Sequence, residues 1–274
     1  MKKFLPFIFI ALVVVGLALA GYFFFIKGGQ PSATAPRPTP LEPVNTIDVK
    51  DRPYVTLAPT VGGKHPQGRE VTLTLTATAL NSKSVEYELE YQAGSLLQGV
   101  FGRIDLAEET LPVSKDLLLG SCSAGGKCSY HEDVTGGTLT LRFRGGDQDF
   151  ALKGEWNFQN MADREGKFSS RDGKFQLDTG KTGLPSAAIV LIAQTMGLPA
   201  AVEGDILSGP YGVFTNNHKL KGPAQLTMRL SEDVTTAKLL GFTGKTWKEY
   251  KSQVSDKTLT ATVDTLTTFL AVSQ

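Results

Sequence analysis

Two cysteines, three histidines and a run of alternating glutamates are the residues whose types could do chemistry. Cys122 and Cys128 lie close together in LLLGSCSAGGKCSYHED, with Gly125 and Gly126 supplying a turn between them. In an exported chain such a pair is most simply a disulfide closing a small loop, contributing about 2 kcal/mol through chain entropy. Free thiols and a metal site are the alternatives. For metal, His131 follows Cys128 by three residues, yet no fourth ligand lies nearby to complete a structural zinc site. His65, His131 and His218 sit in three separate turn-rich segments, so the spacing predicts neither a catalytic triad nor a zinc site. Gly-x-Ser-x-Gly, the phosphate-cradling Gly-x4-Gly-Lys-Ser/Thr and His-Glu-x2-His are all absent; Gly244-Lys245-Thr246 has Leu239 where the first glycine of a phosphate loop would stand. No catalytic residue, metal ligand or cofactor is expected.

Glu86, Glu88 and Glu90 alternate, which places three carboxylates about 7 Å apart on one face of one strand. Calcium would need further oxygens from a second element, and no Asp-rich loop offers them. Arg142 and Arg144 have the same period, so cross-strand ion pairing is the expectation. Asp163 to Gly173 is charged and glycine-rich, an ion-holding loop or, preferred, a solvated interdomain linker. Among the aromatics, Trp156 shares a period-2 face with Phe150, Leu152 and Phe158 and reads as core. Trp247 is flanked by charge; with Tyr250, Lys245 and Lys248 it forms the one candidate ligand-contact patch, of a kind that stacks on sugars.

These residues need strands to position them, and the sequence reads as strands almost throughout. EVTLTLTATA (70–79), SVEYELEY (84–91), TLTLRFR (138–144), AQLTMRL (224–230), LTATV (259–263) and TFLAV (268–272) alternate apolar and polar side chains. Gly94, Gly99 and Gly102, Gly136-Gly137 and Gly145-Gly146 read as turn signals between them. AAIVLIA (187–193) is apolar on both faces; a central strand and a buried helical turn both fit, and β-branching at Ile189, Val190 and Ile192 favours the strand. The expected fold is all-β, two tandem antiparallel β-sandwiches of immunoglobulin-like type at residues 54–162 and 163–274.

Ahead of them, Phe4 to Ile26 runs twenty-three residues without a charge, enough to cross a bilayer of roughly 30 Å. Lys2 and Lys3 keep the N-terminus cytoplasmic and the body outside. Cleavage after Ala18-Leu19-Ala20 is the rival, but Tyr22-Phe23-Phe24-Phe25-Ile26 continues the apolar run past that point. Residues 1–27 are therefore read as a cytoplasmic stub and single-pass transmembrane helix, and 28–53, rich in proline, as a semi-extended linker. The net charge is +1; Lys2 and Lys3 are two of 28 basic side chains, which leaves 26 against 27 acidic ones outside. Such a balance argues against nucleic-acid binding.

Ser208-Gly209-Pro210-Tyr211-Gly212-Val213-Phe214, Gly222-Pro223-Ala224-Gln225-Leu226-Thr227-Met228, Gly241-Phe242-Thr243-Gly244-Lys245-Thr246-Trp247 and Thr267-Thr268-Phe269-Leu270-Ala271-Val272 carry a resemblance. This part is similar to a β-sandwich module of microbial surface proteins and, more distantly, to the sandwich of ankyrins and netrin receptors. The first half, with EYELEYQAG and GGTLTLRFRGG, resembles uncharacterised membrane-anchored surface proteins of small-genome bacteria. The resemblance implies fold and surface location and carries no catalytic residue across. The function expected is a membrane-anchored, extracytoplasmic, non-enzymatic structural or adhesive protein, whose partners are the bilayer through residues 4–26 and an envelope protein or glycan. The alternative is a carbohydrate-binding or envelope-processing accessory protein; a hydrolase ranks third.

Overall fold

The computed structural model describes residues 42–274; the expected membrane helix and most of the proline-rich segment lie outside the described residues. Among the described residues, no helix is long and apolar enough to cross a membrane. The first half contributes β1 (Val55–Pro59), β2 (Glu70–Leu75), β3 (Ser84–Ala93), β4 (Leu96–Asp105), β5 (Val113–Leu118), β6 (Gly120–Cys122), β7 (Cys128–Tyr130), β8 (Val134–Arg144) and β9 (Phe150–Asn160). One helical turn, α1 (Met161–Arg164), leads to β10 (Lys167–Ser169), β11 (Phe175–Asp178), β12 (Ile189–Gln194), β13 (Ile206–Thr215) and β14 (Ala224–Arg229). The chain closes with β15 (Lys238–Phe242), β16 (Trp247–Tyr250), β17 (Ser252–Ser255), β18 (Thr258–Val263) and β19 (Thr268–Val272). All strand pairs are antiparallel, so the fold is all-β, as the alternation predicts.

Nine strands form one sheet in the order β16-β15-β19-β13-β12-β9-β8-β3-β4. It runs without a break past the expected boundary near Asp163, because β9 pairs with β12 from Ile189↔Asn160 to Ala193↔Trp156. Two smaller sheets, β1-β2-β5 and β10-β11-β14-β18-β17, cover it, and each encloses its own core. Residues alternate across a strand, and here the alternation sorts the cores. Ile189, Leu191 and Ala193 of β12 belong to the core under β1-β2-β5, with Trp156, Leu141 and Leu89. Val190 and Ile192 of the same strand belong to the other, with Phe175, Tyr211 and Phe269. The two cores therefore lie on opposite faces of one sheet and meet at β12. This is why 187–193 carries no polar alternation: a strand covered on both sides has no solvent face.

Residues 43–53, placed by sequence in the linker, pack on this body. Asn45 exchanges hydrogen bonds with the Lys153 backbone (2.9 and 3.0 Å), Arg52 Nε donates to the Ile47 carbonyl at 2.7 Å, and Ile47 packs against the first core. The charged stretch after Asp163, expected as linker, forms α1 and the β10-β11 hairpin. Asn157 and Gln159 of β9 donate to the Ser169 carbonyl, which ties the edge strand β10 to the large sheet.

Gly99 and Gly102 are not turn residues; both lie inside β4. At Gly102 a Cβ would sit 2.2 Å from the Tyr87 hydroxyl, so the glycine makes room for a cross-strand ring. In β13, Gly209 has φ +88° and precedes Pro210, which has no amide to give a ladder; the register shifts there, between Ser208 and Tyr211. That irregularity lies next to Tyr211, which meets the hairpin opposite.

Candidate functional site

The β6-β7 hairpin places Cys122 directly opposite Cys128, and the two are disulfide-bonded. Its turn closes through Ser123 N to the Lys127 carbonyl and Gly126 N to the Ser123 carbonyl, both 2.9 Å. The loop between β1 and β2 folds over this hairpin and delivers His65. One ring nitrogen of His65 and the two sulfur atoms lie within 4.8 Å of one another. The imidazole meets the Tyr130 ring edge-on at 5.7 Å, with Nδ1 3.2 Å from the hydroxyl, and its Nε2 is 3.7 Å from Glu70 Oε1. Glu70 is a carboxylate only 6% exposed.

A second histidine joins the same seam. Arg69 Nη1 donates to the His131 carbonyl and to Glu132 Oε2, each at 3.0 Å, while its guanidinium lies 5.7 Å from the Tyr130 ring centre. His131 Nδ1 is 2.9 Å from the Tyr91 hydroxyl. Burial pushes the Tyr91 phenol up to about 12. Arg69, His131, Glu132, Asn160, Asp163 and Arg164 border a cavity of about 450 Å³. Its charged walls carry both signs, and Arg69 is held by the His131 carbonyl and Glu132. Sequence spacing expects no convergence of histidines, yet the fold brings His65 and His131 together through Tyr130 and Arg69. The cysteine pair gains His65, from the β1-β2 loop, in place of His131, its neighbour in sequence. No local signal marks this, since the contact depends on how a loop crosses a hairpin. His218 stands apart, its backbone N bonded to Thr215 Oγ1 at 3.0 Å.

The carboxylates of β3 have partners. Arg142 Nη1 meets Glu88 at 3.0 Å, Arg144 Nε meets Glu86 at 3.8 Å, and Thr138 donates to Glu90 at 2.9 Å. The pairing is diagonal, because Arg142 stands opposite Glu86 and Arg144 opposite Ser84. At the candidate ligand-contact patch, Trp247, Tyr250 and Lys248 make contacts within the chain. Trp247 Nε1 donates to the Ala200 carbonyl at 3.1 Å and its ring packs on Phe242. Tyr250 is 6% exposed in the second core, with its hydroxyl on Asp264 at 2.8 Å. Lys248 lies 4.4 Å over the Tyr250 ring and 2.6 Å from Asp264, which raises its pKa; Lys245 is exposed in the β15-β16 turn.

The largest exposed apolar side chains sit at one edge. β4 ends the nine-stranded sheet, with Leu97 68% and Phe101 84% exposed. Leu97, Gly99, Phe101 and Arg103 share the face that carries Glu86, Glu88 and Glu90 on β3. No protein-family model, no curated protein and no solved structure matches this chain.

Proposed function

We propose that this chain is a membrane-anchored, extracytoplasmic structural or adhesive protein without catalytic activity, contacting a protein partner by strand addition at β4. The observation that carries the reading is the ten-residue strand β4, which pairs on one side only among the described residues and exposes Phe101 and Leu97. An edge strand offers a row of unpaired N–H and C=O groups, and soluble proteins blunt such edges with charge, proline or cover. Here the edge carries exposed Leu97 and Phe101 beside Arg103, which suits a partner strand that takes ladder hydrogen bonds for affinity and side-chain contacts for specificity. The same reading takes the two cores as immunoglobulin-like sandwiches held outside the membrane by residues 4–26; the resemblance to microbial surface modules supports it.

A photo-crosslinking residue at Phe101 of the full-length chain, in its native envelope, tests the function. The expected product is a protein adduct that Leu97→Asp abolishes while the melting temperature holds. Equal labelling from position 245, or adducts to glycan alone, would overturn it.

A further inference from the structure

The polar seam holds a second, latent chemistry, and it stands independently of the adhesive reading. We propose that the β6-β7 hairpin is a redox-gated metal site: when the Cys122–Cys128 bond is reduced, Cys122, Cys128 and His65 bind a thiophilic divalent cation, zinc by preference.

The three ligand atoms already lie within 4.8 Å of one another. Zinc takes sulfur at about 2.3 Å and nitrogen at about 2.0 Å, so ligand atoms around one ion stand under about 4 Å apart, which rotation of these side chains supplies. The β6-β7 ladder sets the two cysteines directly opposite each other through backbone pairing. Whichever nitrogen of His65 binds metal, the other has a partner in place: Glu70 Oε1 at 3.7 Å from Nε2, or the Tyr130 hydroxyl at 3.2 Å from Nδ1. A carboxylate or hydroxyl behind a ligating imidazole fixes its tautomer and orientation. This gives the nearly buried Glu70 carboxylate, which has only long contacts to His65, a role beyond packing. Cys122 is exposed and Cys128 and His65 are half-buried, so an ion has a path in.

The chemistry balances simply. A dithiol reductant gives two electrons and two protons to the S–S bond, which breaks into two thiols, and the reductant closes to its own cyclic disulfide. The cation then displaces both thiol protons to solvent and forms two metal–sulfur bonds and one metal–nitrogen bond, with water in the fourth place. In the oxidised chain no thiolate is on offer, so disulfide and metal exclude each other. Either one cross-links the hairpin beneath the His65 loop.

The test uses the full chain in mild detergent, reduced with a dithiol that is removed by anaerobic desalting, with two free thiols verified by alkylation and mass. Cobalt(II) is the spectroscopic probe and zinc the competitor. The reduced chain is expected to bind one cobalt with a thiolate-to-cobalt charge-transfer band that zinc abolishes, and the oxidised chain to bind none. Zinc should return most of the melting temperature lost on reduction. His65→Gln should weaken cobalt binding at least about tenfold, and Glu70→Gln by about tenfold, with both thiols intact. The doubly substituted Cys122→Ala/Cys128→Ala chain, checked for β-sheet circular dichroism, should show no band. A reduced chain with two titrating thiols and no band would overturn the proposal. So would unchanged affinity in His65→Gln, which would mean thiol chemistry without a site.

Discussion

Glu86, Glu88 and Glu90 show what single residues contribute on this surface. Each has a partner on β8, yet Glu86 and Glu88 are 45% and 43% exposed, so water and salt screen both ion pairs. Such pairs contribute about 0.2–1 kcal/mol apiece. Reversing Arg142 and Arg144 to Glu together should therefore cost about 1–2 kcal/mol in chemical denaturation, a gap that added salt narrows, while calcium leaves the wild type unchanged. A calcium-dependent rise in melting temperature lost in Glu88→Ala would turn the triplet into a metal site. Trp156 lies at the other extreme, 1% exposed and edge-on to Tyr91 and Phe158, with no acceptor for its indole N–H among the described residues. Its volume matters and its polar atom does not: Trp156→Ala should cost about 3–5 kcal/mol by equilibrium unfolding, and Trp156→Phe markedly less, since it also removes the unpaired donor.

At the scale of elements, Asp172 is the tie between the β10-β11 hairpin and the large sheet. Its carboxylate accepts from Ser170, Lys174 N (3.0 Å), Gln194 of β12 (3.2 Å) and Tyr211 of β13 (2.7 Å). Burial by itself would raise its pKa; the hydrogen bonds from Ser170, Tyr211 and the Lys174 amide outweigh it and hold the carboxyl below the usual 3.8. A carboxylate with a depressed folded-state pKa adds stability that is present above the unfolded value and is lost as pH falls through the folded one. Asp172→Asn should thus cost about 1–3 kcal/mol at neutral pH, and the difference from wild type should shrink as pH drops below about 4. A difference constant from pH 7 to pH 2 would show that the charge is not what ties the hairpin down. The segment reads as linker in sequence because its apolar residues, Phe168, Phe175 and Leu177, are sparse and its Asp, Ser and Gly usually mark solvated turns. Folded, those three bury almost completely against the second core.

Across the whole molecule, one sheet with a core on each face makes β12 the element both halves depend on. Leu191 faces the first core and Ile192 the second, and both are fully buried. Leu191→Ala and Ile192→Ala should each cost about 2–5 kcal/mol and shift the same single calorimetric transition. Two transitions, each answering to one substitution, would mean the halves fold apart. Much of this was legible in sequence: period-2 runs dictate strands wherever one face is wet and the other dry, and β2, β3, β8, β14 and β18 fall where the alternation puts them, whereas β19 is a strand buried at all five positions. β-branching likewise favours a strand at 187–193, and two cysteines six residues apart suggest their own bond. Alternation cannot say which strands become neighbours, since register and order depend on loop paths and on shared buried area. Tertiary structure alone decided that β9 joins β12 and merges two expected sandwiches into one sheet. It also decided that Gly99 and Gly102 lie within the edge strand β4 and not in turns, and that His65 rather than His131 stands beside the cysteines, because that contact is made across a loop with no period to read.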